Sequence, residues 1–100
     1  MRILVVDDDR FFRELLTTVL EKHGHTAVSE ADPKLALSRF EPGRHDVVLA
    51  DLLMPGLDGL QLMESIHKVA PQQEVILLTG REDPGLGVNA MRSGASDFLQ

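Results

Sequence analysis

The sequence predicts an α/β fold in which helices cover both faces of a parallel sheet. Two observations carry this. The runs Ile3-Leu4-Val5-Val6, Val47-Val48-Leu49-Ala50 and Val75-Ile76-Leu77-Leu78 are short, continuous and apolar. Such runs read as strands buried on both sides. The segments between them place apolar residues at helical spacing, so strand and helix alternate along the chain.

Each element has its own signal. After the first strand, Asp9 can cap a helix from about Arg10 to His23, with Phe11, Phe12, Leu15, Leu16, Val19 and Leu20 as one apolar stripe. Gly24 suits a left-handed stop. Thr26 to Glu30 forms a short second strand. Asp32-Pro33 then supplies a cap followed by proline at the first helical position, and this second helix carries Leu35, Leu37 and Phe40 and ends at Glu41-Pro42-Gly43. The third strand ends on Asp51, and the loop Leu52 to Gly59 leads to a helix over Leu60 to Val69, stopped by Pro71. The fourth strand, Val75 to Leu78, runs into Thr79-Gly80. Asp83-Pro84 starts a fourth helix with a frayed first turn, because Gly85 and Gly87 each cost ~1 kcal/mol against alanine. Gly94 ends it, and Phe98-Leu99 opens a fifth strand.

One hundred residues fit a single domain. Ten basic and sixteen acidic residues give a net charge of -6, which disfavours nonspecific contact with nucleic acid or anionic membrane and favours cations or basic partners. No cysteine is present, so disulfide and thiol chemistry are excluded. Neither a signal peptide nor a membrane-spanning run is visible, and a cytoplasmic location is expected. The chain stops just after the fifth strand, where a covering helix would be expected, so a fragment of a longer protein is the expectation.

Parallel strands end on the same side, so the carboxylates of Asp7, Asp8 and Asp51 should converge at one sheet edge, where folds of this class bind ligands. Asp9 is explained as a helix cap, but one cap needs one acid, which leaves Asp7 and Asp8 over. At ~4 Å and an effective dielectric of ~20, each like-charge pair costs ~4 kcal/mol, so the cluster calls for a cation. Oxygen-only ligands, few of them from protein, favour Mg²⁺. Thr79, at the same edge and followed by glycine, can donate to a phosphoryl oxygen. His23, His25, His45 and His67 fall at element ends or on helix surface and lack metal-ligand spacing. Gly80 to Gly87 matches neither the dinucleotide nor the P-loop fingerprint.

Taken together, Ile3-Leu4-Val5-Val6-Asp7-Asp8-Asp9, Asp46 to Gly59, Leu78-Thr79-Gly80 and Gly94-Ala95-Ser96-Asp97-Phe98-Leu99 resemble the receiver domain of two-component response regulators. The likeness covers the whole chain in order and spacing. It implies a flavodoxin-like, doubly wound five-stranded parallel sheet of order 2-1-3-4-5, here with the last helix missing. By resemblance Asp51 is the phosphoacceptor, Asp7 and Asp8 hold Mg²⁺ together with Asp51 and the backbone carbonyl of Leu53, Thr79 is the switch hydroxyl and Phe98 the switch aromatic. The family's lysine after the fifth strand would fall just beyond Gln100, which puts phosphorylation of this particular chain in question.

The resemblance implies a phosphoacceptor domain rather than an enzyme in the usual sense. Its partners would be a sensor histidine kinase or phosphotransfer protein and an output domain or effector, with no direct nucleic-acid or membrane contact. Leu53 and Arg81 would flank the phosphoryl group and hinder attacking water, giving slow dephosphorylation. Bare apolar surface beside the first helix leads to an expected homodimer. Two rivals stand beside this reading. One is a pseudo-receiver that only docks partners. The other is an aspartyl phosphatase, disfavoured because the candidate nucleophile follows the third strand and no cap domain fits.

Overall fold

A computed structural model describes residues 1–78 and the strand 97–99. The elements run β1 (Arg2–Val6), α1 (Arg10–Lys22), β2 (Thr26–Glu30), α2 (Pro33–Arg39), β3 (Val47–Asp51), α3 (Gly59–Val69), β4 (Glu74–Leu78) and β5 (Asp97–Leu99). The sheet order is β2-β1-β3-β4-β5, and every pairing is parallel. The order and direction are those expected. The anticipated fourth helix lies outside the described residues.

The register sets up the site. Val6 pairs with both Glu30 and Ala50, and Asp51 pairs with Leu78, so β1 and β3 finish level with each other. The loops leaving these strands therefore emerge at the same edge. Two cores lock the sheet. Leu4, Val6, Val48, Ala50, Val75 and Leu77 pack against Leu62, Met63 and Ile66 of α3 and Ala36 of α2 on one face. Ile3, Val5, Val47 and Leu49 form the other, with Leu16 and Leu20 of α1 against them. Consecutive residues of β1 and β3 thus serve opposite cores, which explains their unbroken apolar runs.

Several details differ from the sequence reading. The α1 stripe is narrower than its spacing suggests: Leu16 and Leu20 pack, whereas Phe11 is 77% exposed and Phe12, Leu15 and Val19 are exposed as well. A helix laid on a sheet turns only one edge inward, and six apolar positions exceed that edge. The second helix ends at Arg39, not Glu41; Phe40 is already extended (φ -65°, ψ 132°), and Pro42 disfavours helical backbone at Glu41. The third begins one residue earlier, at Gly59, because Asp58 and Gln61 form a reciprocal capping box, with the Gln61 N–H donating to Asp58 Oδ1 at 2.8 Å and the Asp58 N–H to Gln61 Oε1 at 3.0 Å.

Candidate functional site

The end of β1 leads into Asp7, the end of β3 is Asp51, and the level register brings them together. Carboxylate oxygens of Asp7, Asp8 and Asp51 all lie within 4.8 Å of one another. Asp7 is 3% exposed, Asp51 is half-buried and Asp8 faces solvent. Hydrogen bonds hold the two buried acids in place. The Asp7 N–H donates to the Glu30 carbonyl at 3.2 Å, and its carboxylate accepts from the Asp9 N–H at 2.9 Å. Asp9 caps α1 through the Phe12 N–H at 3.2 Å, as expected from the sequence. The Leu53 N–H donates to Asp51 Oδ1 at 3.0 Å, and among the described residues no hydrogen bond engages Asp51 Oδ2.

The loop after Asp51 is tied on two sides. The Leu52 N–H donates to the Leu78 carbonyl at 2.8 Å, and the Gly59 N–H donates to the Leu52 carbonyl at 3.2 Å. Gly56 turns the chain with φ +83°, a conformation that favours glycine. Gly59 is required for a different reason: a Cβ there would collide with the Asp51 carbonyl group. Its backbone must approach β3 that closely for α3 to start where it does. Beside Asp8 an open groove of about 410 Å³ runs between Ala31, Asp32, Pro33 and Lys34 on one side and Pro55 and Gly56 on the other.

The electrostatics are those of a crowded acid cluster. Burial pushes the Asp7 carboxyl above its ordinary pKa, and the charges of Asp51, Asp8 and Asp9 push it further, against the lowering effect of the Asp9 N–H. Burial likewise raises Asp51, with Asp8 and Asp9 adding to the effect and the Leu53 N–H opposing it. Among the described residues, no ion pair joins Asp7, Asp8 or Asp51 to a cationic side chain. The donor set is oxygen-only, anionic and, among the described residues, uncompensated, which fits a hard divalent cation such as Mg²⁺.

The other expected residues fall differently. Leu53 sits in the loop directly after Asp51, half-exposed at the site's rim. Phe98 lies at the centre of β5, paired in register with Leu77; its side chain, and the whole of Thr79 and Arg81, lie outside the described residues. Three histidines have structural partners: His23 Nδ1 meets the Val19 carbonyl, His25 Nδ1 the amino terminus and His67 Nε2 the Gln73 carbonyl. The sequence reading missed Gly59 and Arg13. The Arg13 guanidinium donates to the Asp7 carbonyl at 2.8 Å. No local pattern marks either contact, because each depends on a neighbour brought close by the fold.

A level-ended parallel sheet with an acidic triad at its carboxyl edge is the arrangement the resemblance to receiver domains implies, and comparison with known proteins agrees. The family model for the response regulator receiver domain matches residues 3–100, and the chain belongs to that family. It is a receiver domain of two-component response regulators, a family of regulatory phosphoacceptor domains.

Among its relatives, the C4-dicarboxylate transport transcriptional regulatory protein DctD of Pseudomonas aeruginosa is 37% identical over 99% of the chain; the chain spans 21% of that protein. The chemotaxis protein CheY of Listeria monocytogenes is 30% identical over 99% of the chain and is itself covered to 84%. Among solved structures, the response regulator TrrA from Thermotoga maritima in complex with Mg(2+)-BeF superposes with a TM-score of 0.87 at 32% identity, over 98% of this chain and 84% of that one. The Francisella response regulator 1452 receiver domain gives 0.89 at 30% identity, covering 98% and 81%. No helix among the described residues is long and apolar enough to cross a membrane.

Proposed function

We propose that Asp51 accepts a phosphoryl group from the phosphohistidine of a sensor histidine kinase or phosphotransfer protein, in a Mg²⁺-dependent reaction. The observation that carries this is the convergence of Asp51 with Asp7 and Asp8 within 4.8 Å, without a compensating side-chain cation among the described residues. Asp7, Asp8, Asp51 and the Leu53 carbonyl are the groups that would hold the ion. The TrrA relative, solved with Mg(2+)-BeF, supports the same assignment.

In the transfer, Asp51 Oδ2 attacks phosphorus in line while Oδ1 stays engaged with the Leu53 N–H at 3.0 Å. The O–P bond forms as the P–N bond to the donor imidazole breaks, and the bonding pair returns to that nitrogen. A bound Mg²⁺ supplies charge neutralisation for the carboxylates and for the phosphoryl oxygens. Asp7 keeps its orientation through the Asp9 N–H. The open groove beside Asp8 gives the donor an approach from solvent. Phosphorylation adds ~1.5 to 2 negative charges at the sheet edge. Thr79 would donate to the new oxygens and Phe98 would turn inward, remodelling the surface near β5 for an output domain or effector. Leu53 and Arg81 would slow hydrolysis by hindering water.

The exposed apolar face of α1, with Phe11 its most exposed member, supports self-association. Sedimentation at rising concentration checks this, and a strictly monomeric profile refutes it. The phosphoacceptor assignment is tested with a radiolabelled phosphohistidine donor and Mg²⁺. The chain should take up label, and Asp51→Asn should not; label persisting in the variant refutes the role of Asp51.

A further inference from the structure

Asp7 lies one residue past the last paired position of β1. Its N–H still reaches the neighbouring strand, through the Glu30 carbonyl, but among the described residues its own carbonyl has no sheet partner. Arg13 fills that vacancy, with Nη1 2.8 Å from the Asp7 oxygen in a partly buried setting. Placed beside three carboxylates, an arginine would be expected to pair with one of them. Arg13 does not, and among the described residues it forms no ion pair at all. The guanidinium braces the main chain and leaves the acids free.

The geometry follows from helix stereochemistry. Arg13 is the fourth residue of α1, and helical side chains lean back toward the N-terminus, over the turn that precedes them. Its own N–H donates to the Asp9 carbonyl at 2.9 Å. Backbone and side chain of one residue therefore grip both ends of the turn Asp7-Asp8-Asp9. Asp8, exposed in the middle, is carried on the backbone between those two anchors.

We propose that Arg13 is a positioning residue for divalent-cation binding: by holding the Asp7 carbonyl it fixes the Asp7–Asp8 peptide, and with it the aim of both carboxylates. The proposal rests on the reading of Asp7, Asp8 and Asp51 as a metal and phosphoacceptor site. It assigns Arg13 no contact with the ion or the phosphoryl group.

The test is calorimetric Mg²⁺ titration of the chain, with the amide NMR shifts of Asp8 and Leu53 followed in parallel. Arg13→Met should weaken Mg²⁺ binding about tenfold or more, the range seen when groups supporting metal ligands are removed, and should displace the Asp8 amide resonance before any metal is added. Arg13→Lys, which can still offer one donor, should fall between. Arg10→Met, on the same helix turn but engaged only in an exposed pair with Glu14, should bind as the wild type does. If Arg13→Met binds Mg²⁺ within about twofold of wild type while losing stability, Arg13 is merely structural and the proposal is overturned. Should Arg13→Met fail to fold, Arg13→Lys decides, and wild-type affinity in that variant overturns it. Failure of the wild type itself to bind Mg²⁺ would overturn the underlying site reading, a result distinct from wild-type binding that Arg13 does not influence.

Discussion

Removing the Asp7 charge should stabilise the metal-free protein. The carboxylate is 3% exposed and has oxygens within 4.8 Å of those of both Asp8 and Asp51. At that separation, with an effective dielectric of ~20, one pair of unit charges repels by ~3.5 kcal/mol. The share from Asp8 is much smaller, because Asp8 faces solvent and is screened by water and salt. In Asp7→Asn the amide oxygen can keep the bond from the Asp9 N–H, so the variant loses charge without losing that contact. That neutral bond is weaker than the charged one, which offsets part of the gain. A net stabilisation of ~1–2 kcal/mol remains, or about 5–10 °C in Tm for a domain of this size.

Circular-dichroism melts at neutral pH and low salt, with a chelator, measure this directly. Saturating Mg²⁺ should then reverse the ranking. A ligand at ~100 times its Kd contributes about 2.7 kcal/mol to the protein that binds it, and Asp7→Asn should gain far less. If Asp7→Asn melts below wild type in chelator, the carboxylate is not a source of native-state strain, and the electrostatic account of the site fails.

The same cluster fixes a pH dependence. Asp7 and Asp51 have folded-state pKa values raised above the unfolded carboxylate value, so the folded state holds their protons more tightly. Their destabilising effect is complete above the raised folded values and is relieved as pH falls through them toward ~4. Asp46, held low by its bonds to Arg2, acts in the opposite sense and only below the ordinary carboxylate range. His45, held below its ordinary value by burial and by the charges of Arg44 and Arg2, opposes this relief as pH falls past that value, so the cluster is isolated by comparison with Asp7→Asn. In urea unfolding with chelator, the stability advantage of Asp7→Asn over wild type should shrink as pH falls from neutral, and an advantage that stays constant contradicts the account. Gly59→Ala should cost ~1–3 kcal/mol by overpacking and reduce phosphoryl labelling, because the new methyl group displaces the Asp51 carbonyl; wild-type stability in this variant would refute the close approach.

The parts of this molecule legible in its sequence share one property: they depend on local spacing. The runs at Ile3–Val6 and Val47–Ala50 mark strands because burial on both faces leaves no polar position in either. Asp32-Pro33 marks a helix start because cap and proline act within one turn. The convergence of Asp7, Asp8 and Asp51 is accessible because parallel strands impose it whatever their separation in sequence. Gly59 is hidden because its requirement comes from the backbone of residue 51. The Asp58–Gln61 box is masked where the Pro-Gly turn signals dominate, although its spacing is readable. Arg13 reads as an ordinary polar helix position until the end of β1 is placed beside it. The exposed part of the α1 stripe escapes notice because periodicity reports an apolar face without reporting its width of contact.

One hydrogen bond shows how an event at Asp51 can reach further along the sheet edge. Leu52 follows Asp51 directly, and its N–H donates to the Leu78 carbonyl at 2.8 Å. Leu78 directly precedes Thr79 in the chain. Movement of the Asp51 main chain is thus two covalent steps and one hydrogen bond away from the proposed switch hydroxyl. Behind Asp51, Gly59 admits no retreat, since α3 is anchored against the same backbone. Main-chain movement at Asp51 would meet α3 on one side and the bond to Leu78 on the β4 side. Were Asp51 phosphorylated as proposed, this packing would oppose movement toward α3 and leave the Leu52–Leu78 bond as the route toward the proposed switch hydroxyl.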